Sequence, residues 1–120
     1  MDGCATLHLS PLGDRALLVE PDEGFDMRQA EDCLERVQYA MEAGGAEWVI
    51  YDLARVVLLD RAYYDWLQRL YRLCRLQDAE LLVVNIRPPV AWSLAQRLQD
   101  APPFRSLRDI DEALQFIRSQ

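Results

Sequence analysis

The chain has 120 residues, 51% of them hydrophobic, with a formal net charge of −7 and a sequence pI near 4.6. This length suits one ordinary domain with a single packed core, and the apolar fraction argues against intrinsic disorder. Because nucleic acids and anionic membrane surfaces require a basic partner surface, the acidic balance argues against both classes of partner.

The cysteines and the N-terminal sequence favour a cytoplasmic protein. The three cysteines, Cys4, Cys33 and Cys74, form no CxxC motif, and the last two lie among apolar residues of predicted helices. This pattern suits small buried hydrophobic residues in a reducing compartment better than a disulfide framework. The N-terminus lacks a signal-peptide pattern, and the longest apolar run, LLVVNI, is far shorter than a membrane span.

The N-terminal part of the chain predicts a hairpin followed by an amphipathic helix. TLHL (6–9) and RALLVE (15–20) are strand-like, and the turn formers of SPLGD (10–14) between them predict the hairpin. Asp26 is the predicted N-cap of the helix, and Gly44–Gly45 is its predicted end. The apolar residues of this helix recur at spacings of three and four: Met27, Ala30, Leu34, Val37 and Met41.

The middle of the chain predicts two strands that flank a second helix. EWVIYDLA (47–54) is a short apolar run, and Asp60 can cap a helix that continues to about Gln77. The apolar stripe of that helix is Tyr63, Trp66, Leu67, Leu70 and Cys74. ELLVVNI (80–86) is continuously apolar, as expected of a strand that is covered on both faces.

The C-terminal part predicts a helix, a short strand and a last helix. Pro88 and Pro89 open the third helix, since proline is tolerated in a first turn. Its apolar side is formed by Val90, Ala91, Leu94, Ala95 and Leu98. FRSL (104–107) predicts a brief strand, and DIDEALQFI (109–117) begins with capping-box spacing. The whole order predicts a single α/β domain over residues 1–120, with a mixed, mostly parallel sheet of four to five strands and about four helices.

Sequence motifs for catalysis, phosphate binding or metal binding are missing. The chain contains no GxxxxGK[ST], GxGxxG or GxSxG. The single histidine, His8, has no second imidazole to share a metal, which favours a structural role. We therefore expect a non-catalytic protein with no cofactor and no metal. The alternative is a small enzyme that uses the carboxylates Asp52 and Asp60.

The stretch VIYDLARVVLLDRA, the helix after it, and AELLVVNIRPPVA resemble the core of a STAS domain, the sulfate-transporter and anti-sigma-factor-antagonist family. The resemblance extends from about Arg15 to Leu114. It is strongest to the anti-sigma-antagonist and stressosome branch, whose corresponding strand also ends in Arg-Pro before a short helix. It implies a mostly parallel sheet with helices, and a bacterial protein that regulates transcription through protein contacts. The implied partners are an anti-sigma factor, a kinase-like ATPase or other STAS subunits, and a homodimer is also compatible.

The chain departs from this family at the residue after Asp60. In the family that aspartate is typically followed by a serine or threonine that a partner kinase phosphorylates. Arg61 has no hydroxyl, so the resemblance implies no phosphorylation switch at this position. Arg61 is either a solvated first-turn residue or a fixed positive charge where related domains change their charge. A second departure, Asp78–Ala79 in place of a frequent Gly-Ala, affects only a helix C-cap.

The candidate partner surface lies mainly on the second helix. At about 100° per residue, one side of this helix carries charged and polar residues opposite the apolar stripe, including Arg75. The predicted partner-binding residues are Asp60, Arg61, Tyr64, Asp65, Gln68, Arg72 and Trp92. This side of the helix is either an ordinary solvent face or a docking face for an acidic partner surface.

Trp92 and Arg87 lie outside that helix and have two interpretations each. Trp92 points away from the apolar side of the third helix, so it is either an interface anchor or packed against a loop. Arg87 ends a central strand, where open α/β sheets present ligands, or it serves in a cap or salt bridge. A small-molecule sensor for a nucleotide or lipid near Arg87, or a homo-oligomeric scaffold subunit, therefore stays an alternative to docking of a protein partner.

Overall fold

The computed structural model describes residues 4–13, 15–97 and 102–120. The five strands are β1 (Leu7–Leu12), β2 (Ala16–Pro21), β3 (Trp48–Asp52), β4 (Glu80–Val84) and β5 (Arg105–Leu107). The four α-helices are α1 (Ala30–Gly44), α2 (Arg61–Leu76), α3 (Pro88–Arg97) and α4 (Ile110–Arg118). None of the helices in this described part of the chain has the length and apolarity needed to cross a membrane.

The sheet is mixed and mostly parallel, which confirms the predicted fold class. The strands lie in the order β1-β2-β3-β4-β5; β1 is antiparallel to β2, and the other neighbours are parallel. The predicted hairpin is confirmed but is longer than expected, because Ser10 pairs with Leu18 and Leu12 pairs with Ala16. Pro11 is tolerated within β1 because this strand lies at the edge of the sheet.

The sheet separates two cores. Successive residues of β3 alternate between them: Val49 and Tyr51 face the core under α1, α2 and α3, whereas Trp48 and Ile50 face the core under α4. The residues of β4 from Leu81 onward are buried in the same alternating way. The prediction of a central strand covered on both faces is therefore confirmed.

The helix boundaries follow local capping chemistry. Asp26 caps a 3-10 turn (Met27–Gln29) that leads into α1, so the α-helix begins later than predicted. Gly45 ends α1 in the left-handed conformation with φ 61°, as predicted from the two glycines. Asp78 adopts φ 57° after α2 and fills the position for which glycine is better suited.

The prediction for the buried side of α3 was partly wrong. Val90 and Leu94 are buried at a spacing of four, whereas Ala91 and Ala95 are exposed. The helix contacts the core along one narrow line, so alanines one position away face outward. Leu98 lies outside the described residues.

Two of the cysteines form a disulfide, contrary to the expectation from their spacing. Cys4 and Cys33 are bonded with their Cα atoms 5.2 Å apart, and both are fully buried. The pairing is tertiary, because it joins the segment before β1 to α1 across 29 residues. Cys74 is a free buried thiol, as predicted, and burial raises its pKa to about 12. The cysteines therefore no longer support a reducing compartment.

Candidate functional site

The loop between β3 and α2 exposes two apolar side chains. Leu53, Val56 and Leu59 are buried at a spacing of three and hold the loop against the core. Between them, Val57 is 66% exposed and Leu58 is 69% exposed. These two residues were not among those predicted from the sequence, although the spacing of the buried residues leaves them facing outward.

The loop ends at Asp60, which caps α2 as predicted. Asp60 has extended backbone geometry, and its Oδ1 accepts a hydrogen bond from the backbone N–H of Tyr63 at 2.8 Å. Arg61 is the first residue of α2 and is exposed, and no carboxylate of the described residues forms an ion pair with it. The first turn of α2 contains no acidic residue. Because the helix N-terminus carries partial positive charge, Arg61 opposes the helix by about 0.5 kcal/mol.

The predicted polar side of α2 faces solvent in the structure. Arg61, Asp65, Arg72 and Arg75 are all exposed, opposite the buried apolar stripe. Tyr64 and Gln68 share this side but are half-buried, and Gln68 Nε2 donates to the Tyr64 hydroxyl at 2.7 Å.

A cluster of aromatic side chains packs between the start of α2 and the sheet. The Tyr51 and Tyr63 hydroxyls are 2.7 Å apart, and Trp66 Nε1 donates to the Tyr51 hydroxyl at 2.9 Å. Desolvation by burial raises the pKa of both tyrosines. Phe25 packs on Tyr63 and Trp66, with ring centroids 5.8 and 5.3 Å away. These four aromatic side chains therefore connect the first two turns of α2 to β3 and to the loop after β2.

Trp92 and Arg87 are exposed, and they lie apart from the α2 surface in the chain. Trp92 is 67% exposed, so no described loop covers it. Because β3 and β4 are parallel, α2 and α3 begin at the same edge of the sheet, and Trp92 lies in an early turn of α3. Arg87 precedes α3 and lines neither of the two cavities at this edge.

The carboxyl edge of the sheet has two open cavities. The first, of about 350 Å³, is lined by polar residues that include His8, Glu20, Asp52 and Arg55. The second, of about 500 Å³, lies between the loop after β2 and the loop before α2 and includes Val57 and Leu58. Among the described residues, no group of histidine, cysteine and acidic side chains could hold a metal ion.

Three polar side chains at this edge, Asp52, His8 and Asp22, form hydrogen bonds within the domain. Asp52 Oδ1 accepts hydrogen bonds at 2.9 Å from the Ala54 backbone N–H and from Asn85 Nδ2. His8 Nε2 lies 3.2 Å from Asp22 Oδ2, which agrees with a structural role for the histidine. Asp52 therefore joins the ends of β3 and β4, and Asp60 caps a helix.

The sequence of the chain matches one family of domains. The model of the STAS domain matches residues 11–104, most of the chain. The chain belongs to the STAS family. The STAS resemblance seen in the sequence is thereby confirmed, whereas a search of the curated proteins found no match.

Several solved structures share the fold at low sequence identity. A Moorella thermoacetica RsbS variant superposes with a TM-score of 0.80 at 16% identity, covering 96% of this STAS domain and 97% of that chain. A chain of the stressosome, described as a signal integration and transduction hub, gives 0.77 at 16% identity over 93% and 96%. The unphosphorylated anti-sigma factor antagonist SpoIIAA gives 0.67 at 14% identity over 95% and 99%. SpoIIAA, a Bacillus protein, is also solved in a phosphorylated form.

Proposed function

We propose that this STAS domain is a non-catalytic bacterial regulator that docks a protein partner at the start of α2. The partner is an anti-sigma factor, a kinase-like ATPase or another STAS subunit, and the domain extends over residues 1–120. The similarity in fold to SpoIIAA, RsbS and a stressosome chain supports this class of function. We place the regulator in the cytoplasm, where transcription is controlled.

The observation that supports the site is Arg61. This side chain is exposed, has no ion-pair partner among the described residues, and lies where a positive charge disfavours the helix. Stability of α2 therefore gives no reason for an arginine here. Together with the exposed Val57 and Leu58, Arg61 offers apolar area beside a planar cationic group, which suits an acidic partner surface.

The first prediction concerns phosphorylation. Incubation with a partner kinase and ATP should add no phosphate between Leu58 and Trp66, because this segment contains no serine or threonine and its tyrosines belong to the helix. Peptide mapping by mass spectrometry measures this directly. Arg61→Ser provides the matched variant, and it should become phosphorylated if the kinase reads the junction. Phosphate on residues 58–66 of the native chain would contradict the proposal.

The second prediction separates docking from stability. Arg61→Glu should raise the free energy of unfolding by about 0.5–1 kcal/mol, because a negative charge suits the helix N-terminus. The same change should weaken binding of an acidic partner by about tenfold or more. Urea unfolding measures the first effect, and calorimetric titration with individually purified anti-sigma factors and kinase-like ATPases of the same organism measures the second.

Arg118→Glu is the control for this experiment. Arg118 is exposed on α4, on the opposite face of the sheet, so its reversal should leave partner binding unchanged. A general effect of net charge would weaken binding equally in both variants. If Arg61→Glu and Arg61→Ser bind every partner as the native chain does, the junction is not the docking surface.

Sensing of a small molecule has weaker support. The cavity near Asp52 has a volume suited to a small ligand, but it is open, and its His8 and Asp52 side chains are hydrogen-bonded to Asp22 and Asn85 outside its lining. Arg87, the ligand contact predicted from the sequence, does not line this cavity.

A further inference from the structure

The outer faces of α1 and α2 carry opposite charges side by side. On α1, Asp32, Glu35, Tyr39 and Glu42 recur at spacings of three and four, and all four are exposed. Asp32 and Glu35 have no ion-pair partner in the described residues, and neither do Arg72 and Arg75 on α2. An acidic strip therefore lies directly next to a basic strip on one face of the domain.

Two contacts between α1 and α2 define the position of one helix along the axis of the other. Arg69 forms an ion pair with Glu31, and Gln77 Nε2 donates to Glu42 Oε1 at 3.2 Å, with sequence separations of 38 and 35. Residues that differ by about this number therefore lie at the same level of the two helices, which run in the same direction because both connect parallel strands. Arg72 of α2 therefore lies beside the helical turn of α1 that contains Glu35.

The same difference in residue number shows which other residues of α1 and α2 lie at equal positions along the two helices. Arg75 lies level with Tyr39, whose side chain is 75% exposed. Leu76, which is 83% exposed, lies near the end of α2 beside the contact between Gln77 and Glu42. Arg61 lies level with residues that precede α1, so it is not opposite the acidic strip.

We propose that this face binds a second copy of the chain through a two-fold axis parallel to α1 and α2. Such an axis places α1 of one protomer on α2 of its partner, and it repeats the same contact on the other side. Arg72 then faces Glu35 of the partner subunit, and Arg75 faces the ring of the partner's Tyr39. Leu76, which lies close to the axis, meets the same residue of the other protomer.

The occupant is a second copy because one surface carries both charges in a self-complementary order. A purely acidic partner would fit the strip on α2 and be repelled by α1, whereas a copy of this chain satisfies both strips at once. Helices of 15 and 16 residues are about 22–24 Å long and pack about 10 Å apart, so the contact buries roughly 900 Å² in total. That area is at the low end for specific complexes, and each protomer carries a net charge of −7. The dimer is therefore weak, in the micromolar range or above.

A charge-swap experiment tests this dimer. Analytical ultracentrifugation from about 10 μM to 1 mM should show a reversible monomer–dimer equilibrium for the native chain. Arg72→Glu and Glu35→Arg should each weaken self-association by about 30-fold or more, because each creates two like-charge contacts per dimer. An equimolar mixture of the two variants should dimerise again, since the mixed dimer contains one native and one swapped pair.

The mixture distinguishes a specific contact from other effects. Both substituted residues are exposed, and circular dichroism and thermal unfolding of each variant confirm that it folds. A mixture that stays monomeric, single variants that dimerise like the native chain, or a native chain that is monomeric at the highest concentration would each overturn the proposal. Arg118→Glu is the control and should dimerise normally.

This inference is independent of the partner docking proposed for Arg61. Arg61→Glu should leave the dimerisation constant unchanged, because Arg61 lies beyond the facing helix. Partner binding measured at low concentration, where the chain is monomeric, likewise tests the docking surface alone. Failure of one proposal therefore does not imply failure of the other.

Discussion

Replacing Trp66 by alanine should lower the free energy of unfolding by about 4 kcal/mol, within the range for large-to-small changes in a core. The side chain is 1% exposed and packs on Phe25 at 5.3 Å between ring centroids. Its removal leaves a cavity and also removes the donor to the Tyr51 hydroxyl, which is fully buried. Urea unfolding followed by circular dichroism measures the change.

Trp92→Ala is the matched control for this prediction. The same chemical change at a side chain that is 67% exposed should alter stability by no more than about 0.5 kcal/mol. The variant Trp66→Phe offers a further test, because phenylalanine keeps most of the apolar volume. This variant should retain about half of the free energy of unfolding that Trp66→Ala loses. Equal destabilisation by the two alanine variants would show that Trp92 is covered, in conflict with the structure.

The removal of the disulfide between Cys4 and Cys33 should cost about 3 kcal/mol, the second largest effect. A bond that joins residues 29 positions apart restricts the unfolded chain, and the chain-entropy model gives roughly 3–4 kcal/mol for a loop of this size. Unfolding of the native chain with and without dithiothreitol measures this difference. The double variant Cys4→Ala, Cys33→Ala should be insensitive to dithiothreitol.

Counting of thiols tests the pairing independently of stability. The chain has three cysteines, so the denatured, non-reduced protein should react with one equivalent of a thiol reagent, at Cys74, and the reduced protein with three. Cys74→Ala should lower each count by one and leave the effect of dithiothreitol unchanged. Three reactive thiols in the non-reduced protein would support the original expectation from the sequence and contradict the bond.

The family and the local structure around Asp60 were predictable because their signals are local. The apolar runs, the order of strands and helices, and the Asp60 cap all act within one element or one turn, so the sequence displays them directly. The polar side of α2 follows from a period of 3.6 residues, and the structure confirms that Arg61 and Arg72 face outward. The arginine at position 61, which has no hydroxyl, is likewise visible without coordinates.

The burial or exposure of a residue could not be predicted from the sequence where it depends on contacts between separate helices, strands and loops. Ala91 and Ala95 satisfied the periodicity of a buried face, yet among the described side chains of α3 only Val90 and Leu94 are buried in the core. The exposed Val57 and Leu58 are as apolar as their buried neighbours. The residue types therefore could not distinguish the exposed residues of this loop from the buried ones. Their exposure depends on which side of the loop packs against α2 and the sheet.

By itself, the sequence determined the α/β class, the family resemblance, the caps of α2 and α4, and the absence of a hydroxyl after Asp60. Only the tertiary structure decided that Cys4 reaches Cys33, that Tyr51, Tyr63 and Trp66 share hydrogen bonds, and that α1 and α2 present opposite charges at one level. The physical reason is distance along the chain. Caps and periodicity arise from interactions over three or four residues, whereas these contacts join residues 12–38 positions apart and exist only once the helices have packed on the sheet.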